Sequence, residues 1–530
     1  MPALLDLRMP GVYTQEVPTL PPAVGVIPSA VPVFIGYTEK AEKNGDSLLG
    51  KPTRIKSMQE YENWFGGAPT TTIQVDVDDR ESNPRRPEVR IVETSELFYK
   101  MYHSLQLYYA NGGGPCFIMS VAEYEDTPVA PVASLFGLAC FNALKKVKDV
   151  TILVFPDGTS MAPSAYTGII QSALQHCEKM KNRVTIIDVH DGDNASTVNA
   201  SAEAFQNSMP SDIEIKKYGM GYYPYLTTNL SYGYTAESVS IQTHQQTPTQ
   251  TPDSTWVTTI KGLVTALGTA QTALSTAVGD DAVTTAKEAL VIAKTNYDNG
   301  VKNLKGKNLT GGTLAVLEYV NNAIYNKIIE AIRNFGVIMP PSPAIAGIYV
   351  RTDATQGVWK APANVSVFGT IKPSIELDDD DHALLNAPDN GKAINVIRAY
   401  PGRGILVYGG RTLAGNDLEW RYVNVRRTFC FIEDSIARAM QDFVFEPNTS
   451  QTWIKVKSMI GSFLNTLWKA GALYGDTPDA AYQVIVGEPE SMSVQDVLGG
   501  IMRVIIKVAV ARPAEFIVLQ YEHKFELTEA

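Results

Sequence analysis

Acidic residues and a histidine follow a buried strand in the middle of the chain, and their types suit acid–base catalysis. The stretch VTIIDVHDGDN places Asp188, His190, Asp191 and Asp193 where that strand ends, and Asp157 ends the apolar strand before it. Enzymes with α/β sheets collect catalytic groups at this end of their strands. One hypothesis is therefore an α/β enzyme, and the blander alternative is a set of polar residues that cap a strand and form a turn.

Three other stretches match ligand-binding loops only in part. GDSLLGKPT at 45–53 has the glycine and lysine spacing of a phosphate-binding loop, but Pro52 stands where Ser or Thr is required. NGGGP at 111–115 follows a helix and so indicates a helix end. ELDDDDHA at 376–383 lacks the glycine and spaced ligands of a calcium loop. The histidines show no metal-binding spacing either, so we expect no cofactor and no metal site.

The elements that would position the acidic residues alternate between strand and helix from about residue 130. DVTILVFPDG predicts a strand, YTGIIQSALQHCEKMKNR a helix and VTIIDVHDG a second buried strand, a rhythm typical of a small α/β domain. Residues 76–90 are charged and contain proline, which predicts an exposed loop. From about residue 392, strands and two amphipathic helices form a compact final part.

Residues 240–312 read as a separate module. SIQTHQQTPTQTPDST is a polar, low-complexity segment, which predicts a linker. Two amphipathic helices joined by Gly279-Asp280-Asp281 follow it, and they predict an antiparallel helical hairpin inserted at the surface.

The overall composition excludes several classes of protein. A chain of 530 residues with a net charge of −11 predicts several domains and argues against nucleic acid as a partner. No run of apolar residues is long enough for a membrane helix, and the N-terminus lacks the pattern of a signal peptide, so we expect no direct membrane insertion. The four cysteines form no CxxC pair and suit reduced thiols in a cytosolic product.

Both ends of the chain carry a strand pattern without a partner strand nearby. MPGVYTQEV at 9–17 lies between prolines, which fix an extended path, and apolar residues alternate with others beyond residue 516. A terminal strand leaves backbone donors and acceptors unpaired, so we expect both to pair outside their own subunit. The predicted arm residues are Val12, Tyr13, Thr14, Val17, Ile517, Leu519 and Tyr521.

Several stretches together resemble the contractile tail sheath proteins of phages and related injection machines. They are MPGVYTQEV with AVPVFIGYTEKA, SMQEYENWFG, YYANGGGPCFIMSV, GIYVRTDATQGVWKAPANV and WRYVNVRRTFCFIEDSI. The resemblance covers about 1–121 and 345–530, is weaker in between, and is closer to extracellular injection systems than to virions. The helical insertion departs from the family pattern, so the resemblance implies nothing about its role.

The resemblance implies an α/β fold class with an α+β core in a multidomain sheath subunit. The expected parts are an N-terminal arm at 1–20, a core domain at 21–121 and 346–512, an inserted outer α/β domain at 122–345 that includes 240–312, and a C-terminal strand arm at 513–530. In this family the arms reach into neighbouring subunits and complete a small sheet there by strand addition.

The resemblance also implies a structural function without catalysis. Sheath subunits polymerise helically around an inner tube and contract from a metastable extended state, driving the tube through a target envelope. The implied partners are further copies of the chain, the inner tube protein, baseplate and terminal cap proteins, and sister sheath proteins. Assembly would occur in the bacterial cytoplasm, as part of a phage tail or of an injection particle released from or anchored in the cell.

Four basic residues are candidates for contacts with the tube or an adjacent subunit: Arg426, Arg427, Lys455 and Lys457. Solvated faces of a helix and a strand are the alternative for each of them. Two other functions stay open at this point. One is the α/β enzyme with a site near Asp188 and His190, and the other is a surface adhesin that carries the helical hairpin as a binding module.

Overall fold

The structure is a computed structural model, and its contacts divide the chain into two compact units. It describes residues 23–194, 198–247, 249–251, 255–304 and 307–520. The larger unit contains residues 28–430 and the segment from Pro513, and the smaller unit contains residues 431–512 and the segment before Pro28. The predicted N-terminal arm at 1–20 and Tyr521 lie outside the described residues.

The larger unit holds most of the strands and helices. Its strands are β1 (Pro32–Thr38), β2 (Glu42–Lys43), β3 (Asp46–Ser47), β4 (Thr53–Ile55), β5 (Ile73–Asp79), β6 (Glu88–Thr94), β7 (Cys116–Glu123), β8 (Ile152–Val154), β9 (Val184–Asp188), β10 (Gly219–Tyr223), β11 (Leu226–Thr228), β12 (Val239–Gln246), β13 (Ile338–Met339), β14 (Val365–Ser366), β15 (Thr370–Pro373), β16 (Ile394–Tyr400) and β17 (Gly404–Val407). Its helices are α1 (Met58–Phe65), α2 (Met101–Ala110), α3 (Leu138–Lys145), α4 (Pro163–Met180), α5 (Val198–Ser208), α6 (Ile213–Lys216), α7 (Thr255–Thr276), α8 (Asp280–Asn303), α9 (Leu314–Val320), α10 (Asn322–Asn334), α11 (Ser342–Gln356) and α12 (Asp379–Asn386), and α13 (Val423–Met440) begins in this unit.

A mixed sheet of nine strands organises the larger unit, in the order β14-β17-β16-β10-β9-β8-β1-β7-β4. The six strands from β16 to β7 run parallel, β17 and β4 run antiparallel to them, and β14 is antiparallel to β17. Strand β1 is buried along its whole length, as expected of a parallel strand covered on both faces. The mixed α/β fold class is therefore confirmed. The sheet takes strands from both sides of the predicted boundaries at 121/122 and 345/346, and the domain boundaries themselves stay a prediction.

Two predictions about polar segments are wrong. Residues 76–90 are not simply a loop, because β5 and β6 pair there as an antiparallel hairpin. The start of the predicted linker is β12, which runs parallel to β5. The reason is a period-2 pattern in which Ile73, Val75 and Val77 are buried while the polar residues between them, Gln74 and Asp76, are only partly buried.

The predicted helical hairpin is confirmed as α7 and α8, and α8 begins directly after Gly279, which has a φ of 96°. The hairpin is rooted in a second hydrophobic core. Trp256, Ile260 and Leu304 lie at its base and pack with residues of β5 and β12. Most residues toward its tip are exposed.

The smaller unit combines helices with a two-stranded sheet. It contains α14 (Ser450–Lys469), α15 (Pro478–Ala481), α16 (Val494–Leu498), β18 (Tyr482–Val486) and β19 (Val504–Val508). Strands β18 and β19 are antiparallel, with Val484 opposite Ile506. Among the described residues, no helix is both long and apolar enough to cross a membrane.

Candidate functional site

The two carboxylates at the ends of β8 and β9 are buried and bind backbone donors. Asp157 accepts hydrogen bonds from the N–H of Tyr37 at 2.7 Å and from the N–H of Lys100 at 2.5 Å. Asp188 accepts from the N–H of Ser342 at 2.8 Å and from its hydroxyl at 2.5 Å. Asp157 thereby ties β8 to β1 and to the start of α2, and Asp188 ties β9 to the start of α11.

Burial dominates the electrostatics of this acidic cluster. It raises the pKa of Asp157 to about 6 and the pKa of Asp188 to about 7. Burial also lowers the pKa of Lys100, whose charge interacts with both carboxylates and whose amine donates to Ser160. Lys100 is therefore a buried member of this acidic cluster, and nothing in its local sequence pattern signals its burial.

The other predicted members of this cluster make their own local contacts. Nε2 of His190 lies 2.8 Å from the carbonyl oxygen of Met161, and its Nδ1 lies 2.9 Å from Oδ1 of Asp191. Within the part of the chain that the structure describes, no group of three potential ligands could hold a metal ion. The hydrogen bonds of Asp157 and Asp188 give each of these carboxylates a structural role in joining strands to helices.

The prediction that Arg426 and Arg427 contact the tube or a neighbouring subunit is wrong for this conformation, because both side chains are buried inside the larger unit. Arg427 forms a two-pronged ion pair with Asp353, with N–O distances of 2.9 and 2.6 Å, and its guanidinium lies 4.4 Å from the ring centre of Tyr349. The guanidinium of Arg426 lies 4.6 Å from the ring centre of Trp420. The sequence alone does not reveal these contacts, because Asp353 is distant from Arg427 in the chain.

The other two basic candidates are placed differently. Lys455 and Lys457 are exposed on α14. Their role in binding the tube or an adjacent subunit stays a prediction.

The described part of the C-terminal segment has an anchored beginning and an exposed continuation. The carboxylate of Glu515 pairs with Arg411, with both N–O distances at 2.8 Å. The next four residues, Phe516 to Leu519, are apolar, and each is at least 70% exposed. Residues 513–520 form no strand within the subunit, so the assignment of Ile517 and Leu519 to an arm stays a prediction.

The sheet of the smaller unit has two strands, fewer than an isolated sheet needs to be stable in water. Val484 and Val486 are buried, and α14 packs against β18. No third strand among the described residues joins β18 and β19, so each strand keeps one edge without a neighbouring strand. A two-stranded sheet is marginal by itself, and open edges are templates for another chain.

The chain thus has an exposed apolar segment, and its smaller unit has a sheet with open edges. Residues 416–523 match the sequence model of the phage tail sheath C-terminal domain. The chain is 27% identical over 139 residues to the tail sheath protein of Enterobacteria phage T4. That match covers 26% of this chain and 20% of the phage protein, so the chain matches about a fifth of the length of this relative.

Two solved structures match over nearly the whole chain. A chain of the anti-feeding prophage baseplate is 25% identical with a TM-score of 0.56, and the match covers 98% of this chain and 99% of that one. A chain of the anti-feeding prophage helical sheath in its contracted state is also 25% identical, with a TM-score of 0.57 and coverage of 97% and 99%. The chain is thus homologous to the contractile sheath proteins of phage tails and of phage-tail-like injection systems.

Proposed function

We propose that this chain is the structural subunit of a contractile sheath, which polymerises helically around an inner tube. The observation that carries the proposal is the open-edged β18–β19 sheet in a chain that also has an exposed apolar C-terminal segment. Homology to a protein of a contracted helical sheath supports it. Contraction from a metastable extended state would push the tube through a target envelope.

Strand addition is the joining step of this mechanism. The C-terminal arm, with Ile517 and Leu519, and the N-terminal arm, with Val12 and Tyr13, would each pair with an open edge of the β18–β19 sheet in a neighbouring subunit. Such a contact joins two different surfaces, so it repeats into a helical polymer and does not close into a dimer. The arms keep the subunits joined while contacts between their folded bodies rearrange.

The remaining parts of the proposal follow from the same assembly. The five-part division into arms, core, outer domain and hairpin is retained as a hypothesis, with the hairpin projecting outward. The partners are further copies of the chain, an inner tube protein, baseplate and cap proteins, and sister sheath proteins, and the particle would assemble in the bacterial cytoplasm. Homology to a chain of a baseplate assembly supports the association with a baseplate. No nucleotide is consumed, because the contracted packing is lower in free energy.

Deletion of residues 1–18 tests the joining step. The truncated chain is expected to fold with the circular dichroism spectrum of the full chain and to remain monomeric by light scattering, because its neighbours lose one added strand. The control is the full chain with a tag placed before residues 1–18, and it should still assemble. Tubes of normal length from the truncated chain would refute the arm assignment.

A further inference from the structure

The C-terminal segment leaves the folded body at a carboxylate that is held by four hydrogen bonds. We propose that Glu515 is a positioning residue that fixes the direction and register in which the C-terminal arm leaves its subunit. This inference rests on the proposed sheath function and deepens it, because it names the contact that holds the root of the arm. We call Glu515, Arg411, Asn386 and Tyr422 the arm-root clamp.

Every oxygen of the Glu515 carboxylate has two donors. Oε1 accepts from Nε of Arg411 and from the side-chain amide of Asn386, both at 2.8 Å. Oε2 accepts from Nη2 of Arg411 at 2.8 Å and from the hydroxyl of Tyr422 at 3.0 Å. Two-pronged pairs between arginine and a carboxylate are the most directional of charged hydrogen bonds, so the carboxylate has one favoured orientation.

The arm-root clamp is shielded from water. The Arg411 side chain is 5% exposed and the Glu515 side chain is 19% exposed. Although burial raises the pKa of Glu515, the hydrogen bonds from Arg411 and Asn386 outweigh it and lower the pKa below its usual value. The carboxylate is therefore charged at neutral pH, and its hydrogen bonds with Arg411 are charge-assisted.

The clamp is also fixed to the central sheet. The backbone N–H of Arg411 donates to the side chain of Asn395 at 2.7 Å, and the Asn395 amide donates back to the carbonyl oxygen of Arg411 at 2.8 Å. Asn395 lies in β16 and also donates to the carbonyl oxygen of Gly221 in β10. A force on the arm would consequently pass through Glu515 and Arg411 into the nine-stranded sheet.

The exposed part of the arm begins directly after the residue that the clamp holds. Phe516 follows Glu515 directly and is 71% exposed, with its ring centre 5.9 Å from the Arg411 guanidinium. Because successive residues of a strand face opposite sides, a slip of one residue at the root would turn every arm side chain to the wrong face. A fixed root therefore sets which apolar residues can enter the sheet of a neighbour.

Substitution of the carboxylate by an amide tests this inference. Glu515→Gln keeps the size of the side chain but turns one acceptor oxygen into a donor that faces Arg411. Chymotrypsin must pull the chain around its cleavage site free of the folded body, so the rate of cleavage after Phe516 in the unassembled subunit reports release of the clamp. This rate is expected to rise about tenfold or more, since a hydrogen bond to a charged group contributes about 1.5–3 kcal/mol. The subunit should keep the circular dichroism spectrum of the wild type, because the released terminal segment lets water reach the Arg411 guanidinium, whereas tubes should become short, irregular or absent. Glu419→Gln, at an exposed position, is the matched control and should change none of these quantities.

The outcomes separate the clamp from the proposed function. Tubes of normal length and order from Glu515→Gln, or an unchanged rate of chymotrypsin cleavage after Phe516, would overturn the positioning role. A wild-type chain that never forms tubes would contradict the sheath function, while the cleavage measurement would still test the clamp. If Glu515→Gln failed to fold, Tyr422→Phe would take its place, because it removes one donor and leaves the ion pair intact. For that variant, an intermediate loss of tube length is expected, and tubes like the wild type would refute the inference.

Discussion

Replacing Asp353 by asparagine should destabilise the larger unit strongly, because it leaves the charge of Arg427 buried without a counter-charge. The two side chains are 6% and 3% exposed, respectively. The hydroxyl of Ser29 also donates to Asp353 at 2.5 Å, so the carboxylate joins the region of β1 to α11 and α13. Water cannot replace the lost carboxylate at such a site without opening the structure.

The magnitude follows from the geometry of the ion pair. Charge centres about 4 Å apart attract each other by about 4 kcal/mol at an effective dielectric constant of about 20. Removal of one partner of a buried pair costs about 3–5 kcal/mol, most of which is the penalty for the charge that stays behind. A subunit of ordinary stability has only about 5–15 kcal/mol in total, so Asp353→Asn should remove a large part of it.

Hydrogen exchange of peptides from α11 and from the start of α13 measures this loss locally, without assuming that the whole chain unfolds in one step. Asp353→Asn should speed exchange there by more than about a hundredfold, which corresponds to about 3 kcal/mol at 1.4 kcal/mol per factor of ten. The double variant with Arg427→Gln should cost less than the sum of the single variants. Asp389→Asn, at an exposed acid, is the control. A change of less than about fivefold in Asp353→Asn would refute the reasoning.

Three further predictions concern the helical hairpin and the acidic cluster. Gly262→Ala faces open space and should stabilise the hairpin by up to about 1 kcal/mol. Gly300→Ala should stabilise it less, because a Cβ there would displace the end of the Leu263 side chain, and equal effects in calorimetry would contradict the packing. Deletion of residues 266–294 with a short linker should leave tubes intact by electron microscopy, since it spares the buried root of the hairpin, and loss of tubes would place the hairpin at an interface. Asp188 has a pKa of about 7 when folded and about 4 when unfolded, so its contribution to stability is present at low pH and lost as pH rises through 7. Asp188→Asn should flatten this pH dependence of the unfolding free energy in urea titrations at pH 5 and pH 8. An unchanged dependence would count against the raised pKa.

The periodic parts of the fold could be predicted from the sequence. Helices α7 and α8 show apolar residues at helical spacing, and β8 and β9 are apolar runs that end in acidic residues, so local pattern decides their structure. The paired strands β5 and β12 could not be predicted in the same way. Their outward positions are polar or acidic, and what makes them strands is pairing with each other across a long separation in the chain.

The buried contacts between charged residues were harder to predict than the order of the strands and helices. Two adjacent arginines near the start of a helix look like a solvated face, and only the fold brings Asp353, 74 residues earlier in the chain, against Arg427. Glu515 likewise looks like an isolated charge before an apolar run, because Arg411 is 104 residues away. Sequence shows that such charges exist, while burial and partners follow from long-range packing.

Negative-stain electron microscopy of the purified full-length chain, alone and together with its inner tube protein, tests the central claim most directly. The account predicts striated hollow tubes, since each subunit offers both an arm and an open-edged sheet to its neighbours. Uniform small particles under both conditions, from a chain that is folded by circular dichroism, would contradict the sheath function.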